Sequence, residues 1–205
     1  MEYDYILERM TAQEFQELIQ ALMEAEYGAD CAPFPLQGQD GGRDIVIRNH
    51  LNPYENGEMW IQVKYKSANM QRNTDWICSQ VKQELRKITR QAENGKILLP
   101  YAWICYTNIS ISGMAQRGAY DRLQNMFLGF RDKIPKLEVF GKEKVFALLR
   151  NHPEVARSFS VTLYPEIENH TESKRVVAIW PSTLTQYCHS VEAEEILKKF
   201  IDQQK

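Results

Sequence analysis

The stretch Trp60-Ile61-Gln62-Val63-Lys64-Tyr65-Lys66 alternates apolar and polar side chains from Ile61 onward. Side chains of a β-strand point alternately to its two faces, so Gln62, Lys64 and Lys66 share one face. Ile61, Val63 and Tyr65 share the other. The pattern predicts a strand from Met59 to Tyr65 with one polar and one apolar face. Every other element of the fold can be placed relative to this strand.

A second short apolar run, from Asp44 to Arg48, precedes the strand, and residues 50–57 between the two runs are rich in turn-forming types. Two such runs separated by turn residues predict an antiparallel hairpin with a long loop. Centring the hairpin on residues 52–55 places Asp44 opposite about Val63. The carboxylate then lies close to Gln62 and Lys64.

Further elements follow from periodicity. Predicted helices cover Thr11–Tyr27, Asp75–Ala92, Ser112–Phe127 and Lys142–Leu149, and further strands cover Leu98–Tyr106 and Lys136–Phe140. Crossover helices must cover sheet faces, so this order predicts an α/β sandwich with a central mixed β-sheet flanked by helices. The order of strands within the sheet is left open.

Composition bounds the class of protein. The chain has 205 residues, 43% of them hydrophobic, which suffices for one ordinary core. It has no apolar run of eighteen residues and no signal sequence, so we expect a cytoplasmic protein without a membrane partner. A net charge of −2 excludes a globally basic surface, so any nucleic-acid site must be local. The cysteines are widely spaced, which favours reduced thiols over a zinc knuckle or a redox dithiol: Cys31, Cys78, Cys105 and Cys188.

The hairpin brings together groups suited to phosphodiester hydrolysis. That reaction needs a hard cation, oxygen ligands to hold it, and a group that positions the attacking water. Asp44 offers an anionic ligand, the Gln62 side-chain oxygen and the Val63 carbonyl offer neutral ligands, and Lys64 can orient water and steady developing charge. Mg²⁺ is the natural ion for such a site.

Each motif taken alone has a simpler explanation. The segment Asp40-Gly41-Gly42-Arg43-Asp44 is also an ordinary turn before a strand, and a lone Lys64 is also a common guard against aggregation on an edge strand. Asp40 either ligates a second ion or caps the glycine turn, and we favour the turn. The two motifs together favour a site.

Asp40-Gly41-Gly42-Arg43-Asp44, followed by a hairpin and Gln62-Val63-Lys64, resembles the PD-(D/E)xK nuclease superfamily, and within it the Mrr-like restriction endonuclease group. Glutamine often replaces the middle acid of the strand motif in that group, which Gln62 matches. The resemblance covers about Thr11 to Phe159. It implies a restriction-endonuclease-like sandwich and an endonuclease that cleaves double-stranded DNA with little sequence specificity, using Mg²⁺ or, as a substitute, Mn²⁺.

The first helix departs from the family pattern. Members of the group often carry a phenylalanine-glutamate pair there, whereas this chain has Phe15-Gln16. We assign the missing catalytic acid to Glu17, with Glu14 as the other candidate and a plain surface acid as the simpler interpretation. The same departure supports the alternative function, a catalytically inactive nuclease-like module that binds nucleic acid or another protein.

Basic residues near the motifs are candidates for DNA contacts, because lysine and arginine bind backbone phosphates without reading sequence. The candidates are Arg43, Lys66, Lys82, Arg86 and Arg90. For the helical residues a plain solvated face is an equally good explanation, and Arg43 can also pair with a nearby acid. Three tryptophans fit core positions better than base-stacking platforms: Trp60, Trp76 and Trp103. RNA stays open as a substrate.

Composition changes near Pro165, which predicts a nuclease domain over residues 1–164 and a linker with a lead-in to a following domain over residues 165–205. Val176–Pro181 and a helix ending at Lys198-Lys199-Phe200 resemble the lead-in to a STAND-type nucleotide-binding domain. That resemblance implies a prokaryotic antiphage defence effector that forms homo-oligomers through the following domain. The chain has no phosphate-cradling Gly-x-x-x-x-Gly-Lys sequence, so we do not expect it to bind ATP itself.

Overall fold

The computed structural model describes residues 7, 10–34, 43–48, 57–67, 73–113 and 118–159. The chain divides into one unit of Tyr5–Val161 and another made of Met1–Asp4 with Thr162–Lys205, and every described residue belongs to the former. The predicted domain boundary after residue 164, the Val176–Pro181 strand, the last helix and Asp40 lie outside the described residues.

Along the described chain, one helix is followed by three strands, and helices then alternate with strands up to two final helices. Their bounds are α1 Ala12–Tyr27, β1 Cys31–Pro33, β2 Ile45–Ile47, β3 Met59–Lys64, α2 Asn73–Glu93, β4 Ala102–Thr107, α3 Ala119–Phe127, β5 Lys136–Phe140, α4 Lys142–Asn151 and α5 Pro153–Ser158, with a 3₁₀ turn over Gly28–Asp30. Thr11 caps α1 in a capping box with Glu14, as the sequence predicts. Within these residues no helix is long and apolar enough to cross a membrane.

The five strands form one mixed sheet in the order β1-β2-β3-β4-β5. Neighbours β1, β2 and β3 pair antiparallel, whereas β3–β4 and β4–β5 pair parallel. Helices cover both faces: one core cluster packs α1, α4 and α5 against the sheet, and the other packs α2 and α3. The predicted α/β class with a central mixed sheet flanked by helices is therefore confirmed.

The β2–β3 register differs by one residue from the predicted pairing. Ile45 pairs with Ile61, and the Asp44 amide donates to the Ile61 carbonyl at 3.1 Å, so Asp44 lies beside Gln62 instead of Val63. Partners in an antiparallel pair share a face, and a one-residue slip would carry Asp44 to the apolar face that holds Ile61. Burial of the isoleucines, and not the midpoint of the loop, determines the register.

One strand was not predicted, and the predicted start of another was wrong. β1 is only three residues long and ends in Pro33, which leaves too short a pattern to detect. β4 begins at Ala102 and not at Leu98, whose side chain is 89% exposed. The tryptophan prediction holds for Trp60 and Trp103, which are both fully buried in the core under α2 and α3.

Candidate active site

The candidate site lies at one edge of the sheet, where β3 ends and β2 begins. Because β2 runs antiparallel to β3, its first residues lie beside the last residues of β3. Asp44, immediately before β2, therefore meets Gln62 and Val63 near the end of β3. Lys64 is the next residue and ends that strand. The parallel pairing with β4 brings Thr107 alongside Lys64.

Asp44 is the centre of a hydrogen-bonded group. Its Oδ2 accepts from Gln62 Nε2 at 2.6 Å and from the Val63 amide at 2.6 Å, and its Oδ1 accepts a longer bond from Gln16 Nε2 at 3.4 Å. Asp44 and Gln62 are only 6% and 5% exposed. The structure thus brings Asp44, Gln62 and Val63 together, and adds Gln16 from α1.

The Gln62 side-chain oxygen, Oε1, is buried and has no hydrogen-bond partner within the part of the chain that the structure describes. A buried polar atom left without a partner costs about 1–3 kcal/mol, which is why such atoms usually mark a ligand or a functional group. The oxygen belongs to the same side-chain amide whose nitrogen, Nε2, donates to Asp44. The oxygen is therefore available as a donor to a cation.

Three oxygen atoms of Asp44, Gln62 and Val63 at this end of the sheet are of types that Mg²⁺ binds. Residues two apart in a strand present their backbone groups to the same side, so Val63, like Ile61, directs both its N–H and its carbonyl toward β2. One carboxylate, one amide oxygen and one carbonyl suit Mg²⁺, which commonly uses one or two carboxylates and keeps several waters. No cluster of three or more His, Cys, Asp or Glu side chains occurs among the described residues, so a site with more anionic ligands finds no support there.

Lys64 pairs with Glu84 of α2. Its Nζ lies 2.8 Å from Glu84 Oε1, and each side chain is 17% exposed. Glu84 Oε2 lies 3.5 Å from Lys87 Nζ, which is an ion-pair distance, but it makes no hydrogen bond to any described residue. The ammonium of Lys64 is thus held by a carboxylate that comes from the helix covering this face.

The charged side chains of the candidate site also affect Cys105 of β4. The pKa of its thiol is raised to about 12, chiefly by burial. The charge of Lys64 lowers this pKa, and those of Asp44 and Glu84 raise it. Cys105 is fully buried, and it is the residue of β4 that pairs with Gln62 of β3. Lys64, Asp44 and Glu84 therefore all act electrostatically on one buried point of the sheet.

The first helix presents Gln16, and not Glu17, to Asp44. Consecutive helical residues differ by about 100° around the axis, so the two side chains point in different directions. Glu17 accepts a hydrogen bond from Gln13 at 2.9 Å, and Glu14 is engaged by the Thr11 amide in the cap. The assignment of Glu17 as the missing catalytic acid stays a prediction.

Two of the candidate DNA-binding residues, Arg43 and Lys66, contact other residues of the protein. Arg43 stacks its guanidinium on Phe34 and Trp60, at 5.4 and 4.9 Å from the ring centres. Lys66 is 3% exposed, and its Nζ donates to Asn73 at 2.8 Å. β3 ends at Lys64, so Lys66 lies in the loop after the strand, where it is buried, and does not extend the polar face of the strand. Their DNA-binding roles stay predictions.

The three helical candidates form an exposed row on α2, as expected: Lys82, Arg86 and Arg90. Arg86 follows Glu84 by two residues, which is about 200° around the helix, so this row lies away from the side that faces Lys64. Lys87, three residues from Glu84, lies within about 60° of it. Lys87 is 48% exposed. Of the cations of α2, it has the smallest angle around the helix axis from Glu84.

Glu84 escaped detection in the sequence, although a signal exists. It is seven residues after Ile77 and four before Ile88, so it shares a stripe with two buried residues of α2. An acid on the apolar stripe of a largely basic helix needs a partner on the covered sheet. The sequence does not show which strand residue that partner is.

No protein-family model, no curated protein and no solved structure matches this chain. Functional inference therefore rests on the geometry of the site.

Proposed function

We propose that this protein is a Mg²⁺-dependent endonuclease with a restriction-endonuclease-like fold, which hydrolyses the phosphodiester bonds of double-stranded DNA with little sequence specificity. The observation that carries the proposal is the meeting of Asp44, Gln62 and Val63 at one sheet edge, with Lys64 two residues along the same strand from Gln62. The buried Gln62 Oε1 supports it, because that oxygen lacks a partner among the described residues.

The chain's own residues would divide the chemistry as follows. Mg²⁺, if bound there, would supply positive charge for the scissile phosphate and would favour ionisation of a water. Asp44, the Gln62 amide oxygen and the Val63 carbonyl would hold the ion. Lys64 donates hydrogen bonds to the attacking water or to a phosphate oxygen, where charge accumulates as the bond breaks.

The fold supports the restriction-endonuclease-like assignment in its general form. The mixed sheet carries its antiparallel hairpin next to two parallel strands, and helices cover both faces. The acid precedes one strand of the hairpin and the Gln-x-Lys pair ends the other, which is the arrangement that the motif resemblance implies. We include in the proposal a cytoplasmic role in prokaryotic antiphage defence, with homo-oligomerisation through a domain after residue 205.

Duplex DNA would contact the site through cations on both sides of it. Lys87 lies on the Glu84 side of α2, and Arg43 directly precedes Asp44. The exposed row containing Arg86 would bind phosphates farther along the duplex. Each phosphate contact makes binding more salt-dependent, so loss of one cation should lower the slope of log affinity against log salt by about 0.9.

Cleavage of supercoiled plasmid in millimolar Mg²⁺ tests the activity, with Lys64→Ala as the decisive variant. We expect its rate to fall about 100- to 1000-fold, the range seen when a preorganised donor to a developing charge is removed. Lys133→Ala is the matched control, because Lys133 also pairs with a helical glutamate, Glu93 at 2.6 Å, but on an exposed surface. A Lys64→Ala protein that cuts at the original rate would show that the site is assigned wrongly.

Metal binding is measured separately by calorimetry with Mg²⁺ or Mn²⁺. Asp44→Asn should abolish the binding signal, because it removes the anionic ligand. Asp75→Asn is the control, because Asp75 is an exposed acid that pairs with Arg122 at 2.7 Å. Equal binding by both variants would remove Asp44 from the ligand set.

One contact favours the alternative function, an inactive nuclease-like module that binds nucleic acid or protein. Gln16 approaches Asp44 with an amide N–H, where an acid would add negative charge for a metal. This alternative predicts DNA binding without cleavage in either Mg²⁺ or Mn²⁺. It also predicts that Gln16→Glu, which supplies the acid, introduces metal binding that the natural chain lacks.

A further inference from the structure

We propose that Glu84 is the positioning residue of this site, holding the Lys64 ammonium at the end of β3 where the scissile phosphate would lie. This inference rests on the proposed nuclease function. It assigns to α2 a part in the chemistry that none of the short sequence motifs contains.

The contact between the two side chains is direct and shielded from water. Lys64 Nζ and Glu84 Oε1 are 2.8 Å apart, and each side chain is 17% exposed. The two residues are twenty positions apart and come from a strand and the helix that covers it. Shielding matters because an ion pair in water is weak, whereas a partly buried pair with good geometry restricts both partners.

A more exposed ion pair of α2 shows the difference. Glu93 bonds Lys133 at 2.6 Å, but these side chains are 61% and 41% exposed. The charged atoms of Glu93 and Lys133 are as close as those of Glu84 and Lys64, but both side chains are largely exposed to solvent. Only the Glu84 pair among these two involves a residue of the candidate site.

The lysine side chain is flexible, and the proposed role of Glu84 is to restrict its motion. A lysine ammonium sits on four rotatable methylenes, so a free Lys64 would spend much of its time away from the reacting phosphate. A carboxylate fixed on a helix reduces that freedom before substrate arrives. Glu84 itself is held from the other side, since its Oε2 lies 3.5 Å from Lys87.

Burial sets the cost of losing this contact. Glu84 lies on the stripe of α2 that contains Ile77 and Ile88, both fully buried, so its carboxylate cannot simply turn into solvent. Glu84→Gln keeps the size and a hydrogen-bonding oxygen but removes the charge. This variant therefore tests positioning with little change in packing.

The kinetic test compares Glu84→Gln with Glu93→Gln in steady-state cleavage of plasmid DNA. We expect kcat to fall about 10- to 100-fold for Glu84→Gln at an unchanged KM, because a small displacement of a reacting group costs rate more than binding. Glu93→Gln should retain the original kcat. Equal kcat for the two variants would overturn the proposal.

A double-mutant cycle asks whether Glu84 acts through Lys64. If it does, Glu84→Gln has no further effect in a Lys64→Ala protein, because the group it positions is gone. A full additional loss in that background would overturn the proposal. So would a higher Mg²⁺ requirement in Glu84→Gln alone, since that result would make Glu84 a metal ligand.

A readout without DNA separates this proposal from the proposed function. Acetic anhydride labels lysines in the folded protein, and mass spectrometry reports each site. Lys64 should be labelled several-fold faster in Glu84→Gln than in the natural chain, whereas Glu93→Gln should speed labelling of Lys133 only. If the natural chain does not cleave DNA, the nuclease function fails. The labelling result still decides whether Glu84 holds Lys64, and unchanged labelling of Lys64 would overturn that.

Discussion

Asn108→Ala removes a side chain that joins the end of β4 to the chain leaving β3. The Lys66 amide donates to Asn108 Oδ1 at 2.8 Å, and Asn108 Nδ2 donates to the Lys66 carbonyl at 2.8 Å. Both residues are 3% exposed. The asparagine thus continues the pairing of the two strands beyond Lys64, in the place of a backbone partner.

The magnitude follows from the groups left behind. Alanine would remove both hydrogen bonds to the buried backbone of Lys66, at about 1–3 kcal/mol each, or about 2–6 kcal/mol together. That is a large part of the stability of an ordinary domain, about 5–15 kcal/mol. With a urea slope of about 2 kcal/mol per molar, the unfolding midpoint should fall by about 1–3 M.

Urea denaturation followed by circular dichroism measures this change. Asn94→Ala is the control, because Asn94 is exposed just after α2 and a surface substitution usually changes stability by less than about 0.5 kcal/mol. Equal midpoints for the two variants would refute the account of Asn108. Cleavage should also fall in Asn108→Ala under conditions where the variant is folded, because the end of β3 that carries Lys64 loses its restraint.

Two further predictions concern the core around the site. Gly141→Ala should lower stability by about 1–3 kcal/mol in the same assay, because an added Cβ would lie 2.8 Å from the backbone oxygen of Ile109, and an unchanged midpoint would contradict this close approach. Burial raises the pKa of Cys105 from 9.0 to about 12, so the neutral thiol stabilises the folded state fully below pH 9 and this contribution is lost as the pH rises toward 12. The stability difference between the natural chain and Cys105→Ala should therefore shrink over that interval, and a constant difference would refute the effect.

Local patterns in the sequence determine much of the fold. The alternation around Gln62 predicts β3 with its polar and apolar faces, and the structure places Trp60 and Ile61 in the two separate cores. The apolar stripe of α2 and the capping box of α1 were likewise predicted where they occur. These features depend on neighbours within a few residues, which is why a single chain reveals them.

Tertiary structure decided how the predicted parts meet. The pairing of Lys64 with Glu84, the burial of Lys66 beside Asn108, and the approach of Gln16 to Asp44 each join residues separated by twenty or more positions. Helical periodicity tells which side of α1 or α2 is buried, but the rotation of the helix on the sheet selects the polar residue that reaches the site. The sequence alone determined that Asp44 and Gln62 lie on neighbouring strands. Only the packing of α2 determined which carboxylate holds Lys64, because that contact follows from where the helix lies on the sheet.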